Sequence, residues 1–200
     1  MTNFDDRLEE IRDRWDVLRH SFYQRWNSGE LSSEELTFYS GQYRHAVVAL
    51  ADAAENAGDE QHAREERSHV ALWDCFLRSV GGDAAAEPIA ETADCATAWS
   101  GPSRDRTATL AALYAIEAAQ PAISETKRAG LVEHYGAAPA SDATRYFDLH
   151  AELDHAHAAH NRRELDAAMQ PGDEERVLAE AERVLEANWR LLDGVDARAS

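Results

Sequence analysis

His150-Ala-Glu-Leu-Asp154-His-Ala-His157 lies in a run of helix formers, with no glycine or proline between Ser141 and Met169. At about 100° per residue, His150, Asp154 and His157 (i, i+4, i+7) fall within roughly 60° of one another on one helix face. Two imidazoles and a carboxylate converging there suit Fe, Mn or Zn, the carboxylate favouring the harder ions. The same spacing turns His155 elsewhere and leaves His160 at the flank. A solvated, histidine-rich face would look alike, so the reading depends on whether other segments complete a metal site.

Outward from this segment (141–168) the chain stays helical. Pro171-Gly172 precede a last amphipathic helix with Val177, Leu178, Val184, Leu185, Trp189 and Leu192. On the other side, residues 104–135 read as a helix with a kink expected at Pro121. A short helix starts at Pro88 and ends near Ser100-Gly-Pro102, and another runs from about Glu60 to Val80, stopped by Gly81-Gly82. A helix opened by Ser33, with Glu35 nearby, carries Leu36, Tyr39, Tyr43, Val47 and Leu50 on one face before Asn56-Ala-Gly58 breaks it. Residues 5–27 carry Leu8, Ile11, Trp15, Leu18, Phe22 and Trp26 at helical spacing. No segment alternates with period two, and no linker divides the chain. The expectation is all-α: a single domain over residues 1–200, a bundle of about seven helices.

Composition excludes several function classes. A net charge of −18 leaves no basic patch for nucleic acid. No apolar run reaches the roughly 18 residues of a membrane span, and the N-terminus lacks the basic and apolar regions of a signal peptide. Cys75 and Cys95 form no CxxC pattern, so a reducing cytoplasm is the expected location. Among 20 basic residues, Lys127 is the one lysine.

A dimetal carboxylate site in a bundle draws acids and histidines from several facing helices. Glu65-Glu66-Arg-Ser-His69 offers an i, i+3 pair (Glu66, His69) and an i, i+4 pair (Glu65, His69). Such spacing is common on charged helices and is weak alone. Glu117 says more. It shares a stripe with Leu110, Leu113 and Tyr114 in an otherwise apolar helix, so its carboxylate should face inward. A buried carboxylate is costly, and a metal is one way to compensate it; a hydrogen bond from a Tyr or Arg is the other. One inward Glu, a Glu/His pair and the His/Asp/His face amount to six ligands for two metals.

Longer motifs carry a resemblance. His20-Ser-Phe-Tyr23-Gln-Arg-Trp26, then Tyr39-x3-Tyr43, Ser68-His69-x3-Trp73-x2-Phe76, Glu117-x3-Pro121-x5-Lys127-x2-Gly130, and Tyr146-Phe147-x2-His150-x3-Asp154-x2-His157 follow in order through most of the chain. They resemble the heme-oxygenase-like TenA/PqqC superfamily, and within it the dimetal oxidase/oxygenase branch typified by a chlamydial p-aminobenzoate synthase. The resemblance implies a heme-oxygenase-like fold and two Fe ions (or Fe/Mn) held by Glu66 (or Glu65), His69, Glu117, His150, Asp154 and His157, with O2 as co-substrate. His62, one heptad before His69, is the weaker replacement for the glutamate.

The resemblance also implies Tyr23 as a self-derived substrate and Lys127 as amine donor, and homodimers as the assembly. The apolar stripe and Trp189 of the last helix fit a dimer interface or cover of the bundle itself. Tyr39 and Tyr43 are expected to line the pocket, Tyr43 among the catalytic residues. Rival readings are a cofactor-free PqqC-like oxidase, a dimetal oxygenase acting on an external amino acid or fatty acid, and a non-catalytic TenA-like interaction protein. Cys75 is expected to be a buried structural thiol rather than a nucleophile.

Overall fold

The computed structural model describes residues 3–101 and 104–198, and those residues are helical throughout, with no strand among them. In chain order they form α1 (Phe4–Arg14), a 3-10 turn (Val17–Arg19), α2 (Ser21–Asn27), α3 (Ser33–Asn56), α4 (Glu60–Ser79), α5 (Ala90–Ser100), α6 (Arg106–Glu117), α7 (Gln120–His134), α8 (Arg145–Ala168) and α9 (Glu174–Arg198). Pro102, expected beside the end of α5, lies outside the described residues.

The expected seven helices become nine α-helices for local reasons. The segment 5–27 breaks at Trp15–His20, because Asp16 accepts from the Leu18 N–H at 3.1 Å and His20 Nδ1 accepts from the Phe22 N–H at 3.1 Å. Each side chain starts a new helical turn in place of the old one. Pro121 does not kink a long helix. It sits in the first turn of α7, where its missing N–H costs nothing, and α6 has already ended. Arg12 Nη2 takes up the freed Ala118 carbonyl at 3.1 Å. The N-cap of α3 is Ser32 rather than Ser33: its hydroxyl and the Glu35 carboxylate close a capping box. The histidine helix begins at Arg145, after a turn through Ser141–Thr144.

Packing sets the site. α3 lies between α4 and α5, α8 packs on α6 and α7, and α9 packs on α5 and α6. The apolar stripe of α9 is therefore covered within the chain, with Val177, Val184, Leu191 and Val195 buried. Trp189 packs edge-on against Trp15 and His20. Leu153 is the one large apolar side chain exposed among the described residues. Cys75 corrects an expectation: it is half-buried, off the Trp73–Phe76–Leu77 stripe, and accepts from Arg78, whereas Cys95 is the buried thiol.

The centre of the bundle is aromatic. Trp26 is buried among Tyr23, Tyr39 and Phe76, and its indole N–H donates to the Lys127 carbonyl at 3.1 Å. Gly130 lets α7 approach that ring. A Cβ there would lie 2.6 Å from Trp26 Cδ1. Overpacking costs about 1–3 kcal/mol, against about 1 kcal/mol of helix propensity regained. Gly130→Ala is therefore expected to unfold at lower denaturant than the wild type in an equilibrium guanidinium titration.

Candidate metal centre

Two stripes of opposite helices build the centre. On α4, His62, Glu66, His69 and Trp73 follow i, i+4, i+7, i+11; on α8, His150, Asp154, His157 and Asn161 follow the same spacing. Both stripes face the bundle interior, and Glu117 arrives from the last residue of α6. Glu66, Glu117, His150 and Asp154 are at most 1% exposed, and His62 and His69 are each 4% exposed.

The side chains fall into three sets whose ligand-type atoms lie within 4.8 Å of one another: His62, Glu117 and His157; Glu66, His69 and His150; and Glu66, Asp154 and His157. His62 Nε2 is 2.8 Å from Glu117 Oε1, and Glu66 Oε1 is 3.1 Å from His69 Nδ1 and 3.7 Å from both His62 Nε2 and His157 Nδ1. Glu66 thus stands between the two halves.

Fit to a metal can be judged from the atoms left without partners. Buried polar atoms are almost always hydrogen-bonded. Among the described residues fifteen buried side-chain N or O atoms lack a hydrogen bond of acceptable geometry, and eight of them belong to this cluster: His62 Nε2, both Glu66 oxygens, His69 Nδ1, Glu117 Oε1, His150 Nε2, Asp154 Oδ2 and His157 Nδ1. They face one another instead of protein partners. The outer atoms are tied. His150 Nδ1 lies 2.7 Å from the Tyr146 carbonyl, which fixes the tautomer that leaves Nε2 as a lone-pair donor. Glu65 Oε2 sits 3.3 Å from His157 Nε2, and the Asn161 amide donates to Glu117 Oε2.

Electrostatics agree. Burial raises the Glu117 carboxyl above its usual range, against the pull of His62. Burial also works to raise Glu66, but His69, His150 and His62 outweigh it and hold the carboxyl low. Burial lowers His150, keeping it neutral, while the Asp154 hydrogen bond lifts His157 to about 9. Without a metal the cluster stores protons where positive charge is wanted, and a cation would displace them. The donor set of four imidazoles and three carboxylates suits iron or manganese.

All six metal residues expected from the sequence come together here. Of the two adjacent glutamates, Glu66 is buried within the cluster, and Glu65 is half-buried at its edge beside His157. His62, read from the sequence only as the weaker replacement for the glutamate, lies in the cluster together with Glu66, and 62, 66 and 69 repeat the spacing of 150, 154 and 157. His155 and His160 stay outside, His160 pairing with Asp59 at 3.2 Å. His62→Ala is expected to lower metal content by about one ion per chain, since Glu117 and His157 lose their third partner; elemental analysis of the purified variant checks it.

Beside the centre lies a chamber of aromatic rings. Tyr146 stacks on His150 at 3.9 Å, and Trp73 packs on Tyr146. Beyond them Lys127, 1% exposed, places its Nζ 4.3 Å from the Tyr43 ring centre, 4.9 Å from Tyr23 and 5.4 Å from Tyr39. The Tyr23 and Tyr39 hydroxyls lie 2.8 Å apart. Burial alone pushes the Lys127 amine well below its ordinary value, and burial raises the Tyr23 and Tyr39 phenols well above theirs. Burial in this chamber thus favours the neutral form of the amine as well as of the phenols.

Comparison with known proteins agrees with this geometry. The sequence profile of a family described as iron-containing redox enzymes matches residues 42–189. The chain is 28% identical over 225 residues to a 4-aminobenzoate synthase of Nitrosomonas europaea, covering 96% of this chain and 90% of that protein. It is 30% identical over 212 residues to a 4-aminobenzoate synthase of Chlamydia muridarum, covering 96% and 89%. A solved domain of unknown function with a heme oxygenase-like fold from Shewanella denitrificans superimposes with a TM-score of 0.81, at 17% identity over 99% of this chain and 94% of that one, a likeness of fold. The chain belongs to the iron-containing redox enzyme family and has its heme-oxygenase-like fold.

Proposed function

We propose that the protein is a non-heme dimetal oxidase, with two Fe ions or Fe/Mn, that forms 4-aminobenzoate from its own Tyr23 with Lys127 as nitrogen donor. One observation carries the reading: eight unpartnered ligand atoms face one another next to a buried amine that touches tyrosine rings and no carboxylate. Glu66, His69, His150 and Asp154 would hold one ion, and His62, Glu117 and His157 the other, with Glu66 between them. Bound there, such a pair supplies O2 activation and oxidising equivalents.

The chain's own residues do the rest. Tyr39 holds the Tyr23 hydroxyl, so the ring keeps one orientation, and burial favours its protonated form against the opposing pull of that hydrogen bond. Burial shifts the Lys127 amine toward the neutral form, whose lone pair is free to react, an option arginine lacks. Trp73, Tyr146 and Phe147 exclude water around both. The curated relatives' name favours 4-aminobenzoate over an external fatty acid or amino acid. A cofactor-free oxidase would leave the facing ligand atoms without purpose.

The test is metal analysis with product analysis. Wild type is expected to carry about two Fe or Mn per chain and, reduced and given O2 without added substrate, to release 4-aminobenzoate at less than one equivalent. His150→Ala and Glu117→Ala should lose metal. Unchanged metal content in both would sink the assignment.

A further inference from the structure

On the outer side of the metal centre, where the start of α4 meets α8, a small cavity reaches the surface. Asp59, Gln61, His62, Glu65, His157 and His160 line it, and it encloses about 190 Å3. At about 30 Å3 per water molecule, that is room for a cation with several of its waters. His62 and His157 belong to the ligand cluster as well as to these walls. Four larger cavities among the described residues have no residue of the cluster in their walls.

His157 is the partition. Its Nε2 lies 3.3 Å from Glu65 Oε2 on the cavity side, while its Nδ1 lies 3.6 Å from Asp154 Oδ1 and 3.7 Å from Glu66 Oε1 within the cluster. Of the seven clustered residues it is the least buried, its side chain 14% exposed where those of His62 and His69 are 5% exposed. Its ring centre stands 4.5 Å from that of His62, so these two imidazoles form the wall between the cavity and the cluster. The anchoring differs too. His150 and Glu117 are tied at the back to the buried Tyr146 carbonyl and the buried Asn161 amide, whereas His157 is tied to half-buried Glu65 at the cavity itself.

The rim suits capture of a cation. Asp59 Oδ2 lies 3.2 Å from His160 Nε2, so two carboxylates and an imidazole of the kinds that bind Fe2+ or Mn2+ stand outside the His157 ring. Asp59 also caps α4, accepting from the His62 N–H at 2.9 Å, which sets its negative charge against the positive end of that helix. The net charge of −18 draws cations toward the surface as a whole.

We propose that divalent metal ions reach the centre through this cavity, with Asp59, Glu65 and His160 taking the ion from solvent and the His157 ring turning aside to admit it. The proposal rests on the reading of the cluster as a metal centre and adds the route by which that centre is filled and emptied.

Metal-binding kinetics of the full-length protein test it, with Mn2+ alone as the probe and O2 excluded. Rapid mixing of chelator-stripped protein with Mn2+, followed by loss of the paramagnetic resonance signal of the free ion, reads uptake. Transfer from loaded protein into excess chelator reads release, and an equilibrium titration reads affinity. Gln61→Trp, at the exposed rim, is expected to slow uptake and release by one common factor of about ten or more with affinity unchanged, since a plug that only local opening can clear raises the barrier equally in both directions. Ala71→Trp, exposed on the same helix nearly three turns farther along and outside the cavity, should keep wild-type rates. Asp59→Asn keeps the cap but loses the charge. It should slow uptake about tenfold, a difference that shrinks as salt is raised. Wild-type rates in Gln61→Trp, equal slowing in Ala71→Trp, or unequal factors for uptake and release in Gln61→Trp overturn the route. A wild-type uptake rate in Asp59→Asn overturns the capture group, and this variant decides alone if Gln61→Trp does not fold. Mn2+ bound at equilibrium with these rates unmoved refutes the route and leaves the metal centre standing. No Mn2+ bound by the wild type refutes the centre and the route with it.

Discussion

Glu66→Gln is expected to strip the protein of both metal ions. Glu66 belongs to two of the three ligand sets and its two oxygens are both buried without partners. His157 is also in two sets, but it turns a single unpartnered nitrogen to the cluster where Glu66 turns two carboxylate oxygens. An amide keeps the volume but offers one neutral acceptor in place of a bridging charge. Loss of an outer-shell partner alone costs roughly 10–100-fold in metal affinity, and loss of a shared ligand should exceed that at each ion. Glu65→Gln is the control. Glu65 is half-buried and reaches the centre through His157 Nε2 at 3.3 Å, and the new amide oxygen can still accept that bond, so Glu65→Gln should keep both ions with affinity lowered by about tenfold, the low end of that range. Elemental analysis after dialysis separates them: near-zero metal in Glu66→Gln and about two ions in Glu65→Gln. Equal retention would mean that Glu66 is not the shared ligand.

The second large effect is at Lys127. A buried amine with no carboxylate partner is a strain that the fold carries for chemistry. Lys127→Met is expected to abolish 4-aminobenzoate release, leave metal content unchanged, and stabilise the protein at neutral pH. Arginine, which keeps the charge, is the poorer test, because it would force a permanent cation into the Tyr23–Tyr39–Tyr43 box. The pH dependence has a definite sign. The folded-state pKa of Lys127 lies well below the value of about 10.4 in an unfolded chain. Between those two values the unfolded state binds one more proton than the native state, so stability rises with pH, by up to about 1.4 kcal/mol per unit for this group. Below the folded pKa the contribution is constant, and above that of the unfolded chain the penalty is gone. Denaturant titrations of wild type and Lys127→Met at several pH values between 7 and 10 read the difference. If the stability gap between them does not narrow as pH rises, the amine is not buried neutral.

Much of this site was legible in the sequence. His150, Asp154 and His157 could be read because one unbroken helix fixes their angles, and Glu117 because it interrupts an apolar stripe. Lys127 stood out by composition, and its burial among rings is what the structure adds. His62 was harder to read because Glu60, Glu65 and Glu66 surround it with charges that look like a solvated face; only packing against α8 shows which of them turn inward. The breaks at Trp15–His20 and at Ala118–Ala119 were hidden for another reason. They depend on side-chain caps and on an arginine from a distant helix, not on glycine or on proline inside a helix. Of the two uses the sequence left open for the apolar stripe of the last helix, the structure shows cover within the chain, by α1, α5 and α6.

The most direct test of the whole account is peptide mass spectrometry of reduced, metal-loaded protein before and after exposure to O2. The account predicts that peptides carrying Tyr23 and Lys127 change mass in step with released 4-aminobenzoate, and that neither changes in Glu66→Gln. Consumption of O2 with both residues intact would contradict it and direct the search to an external substrate.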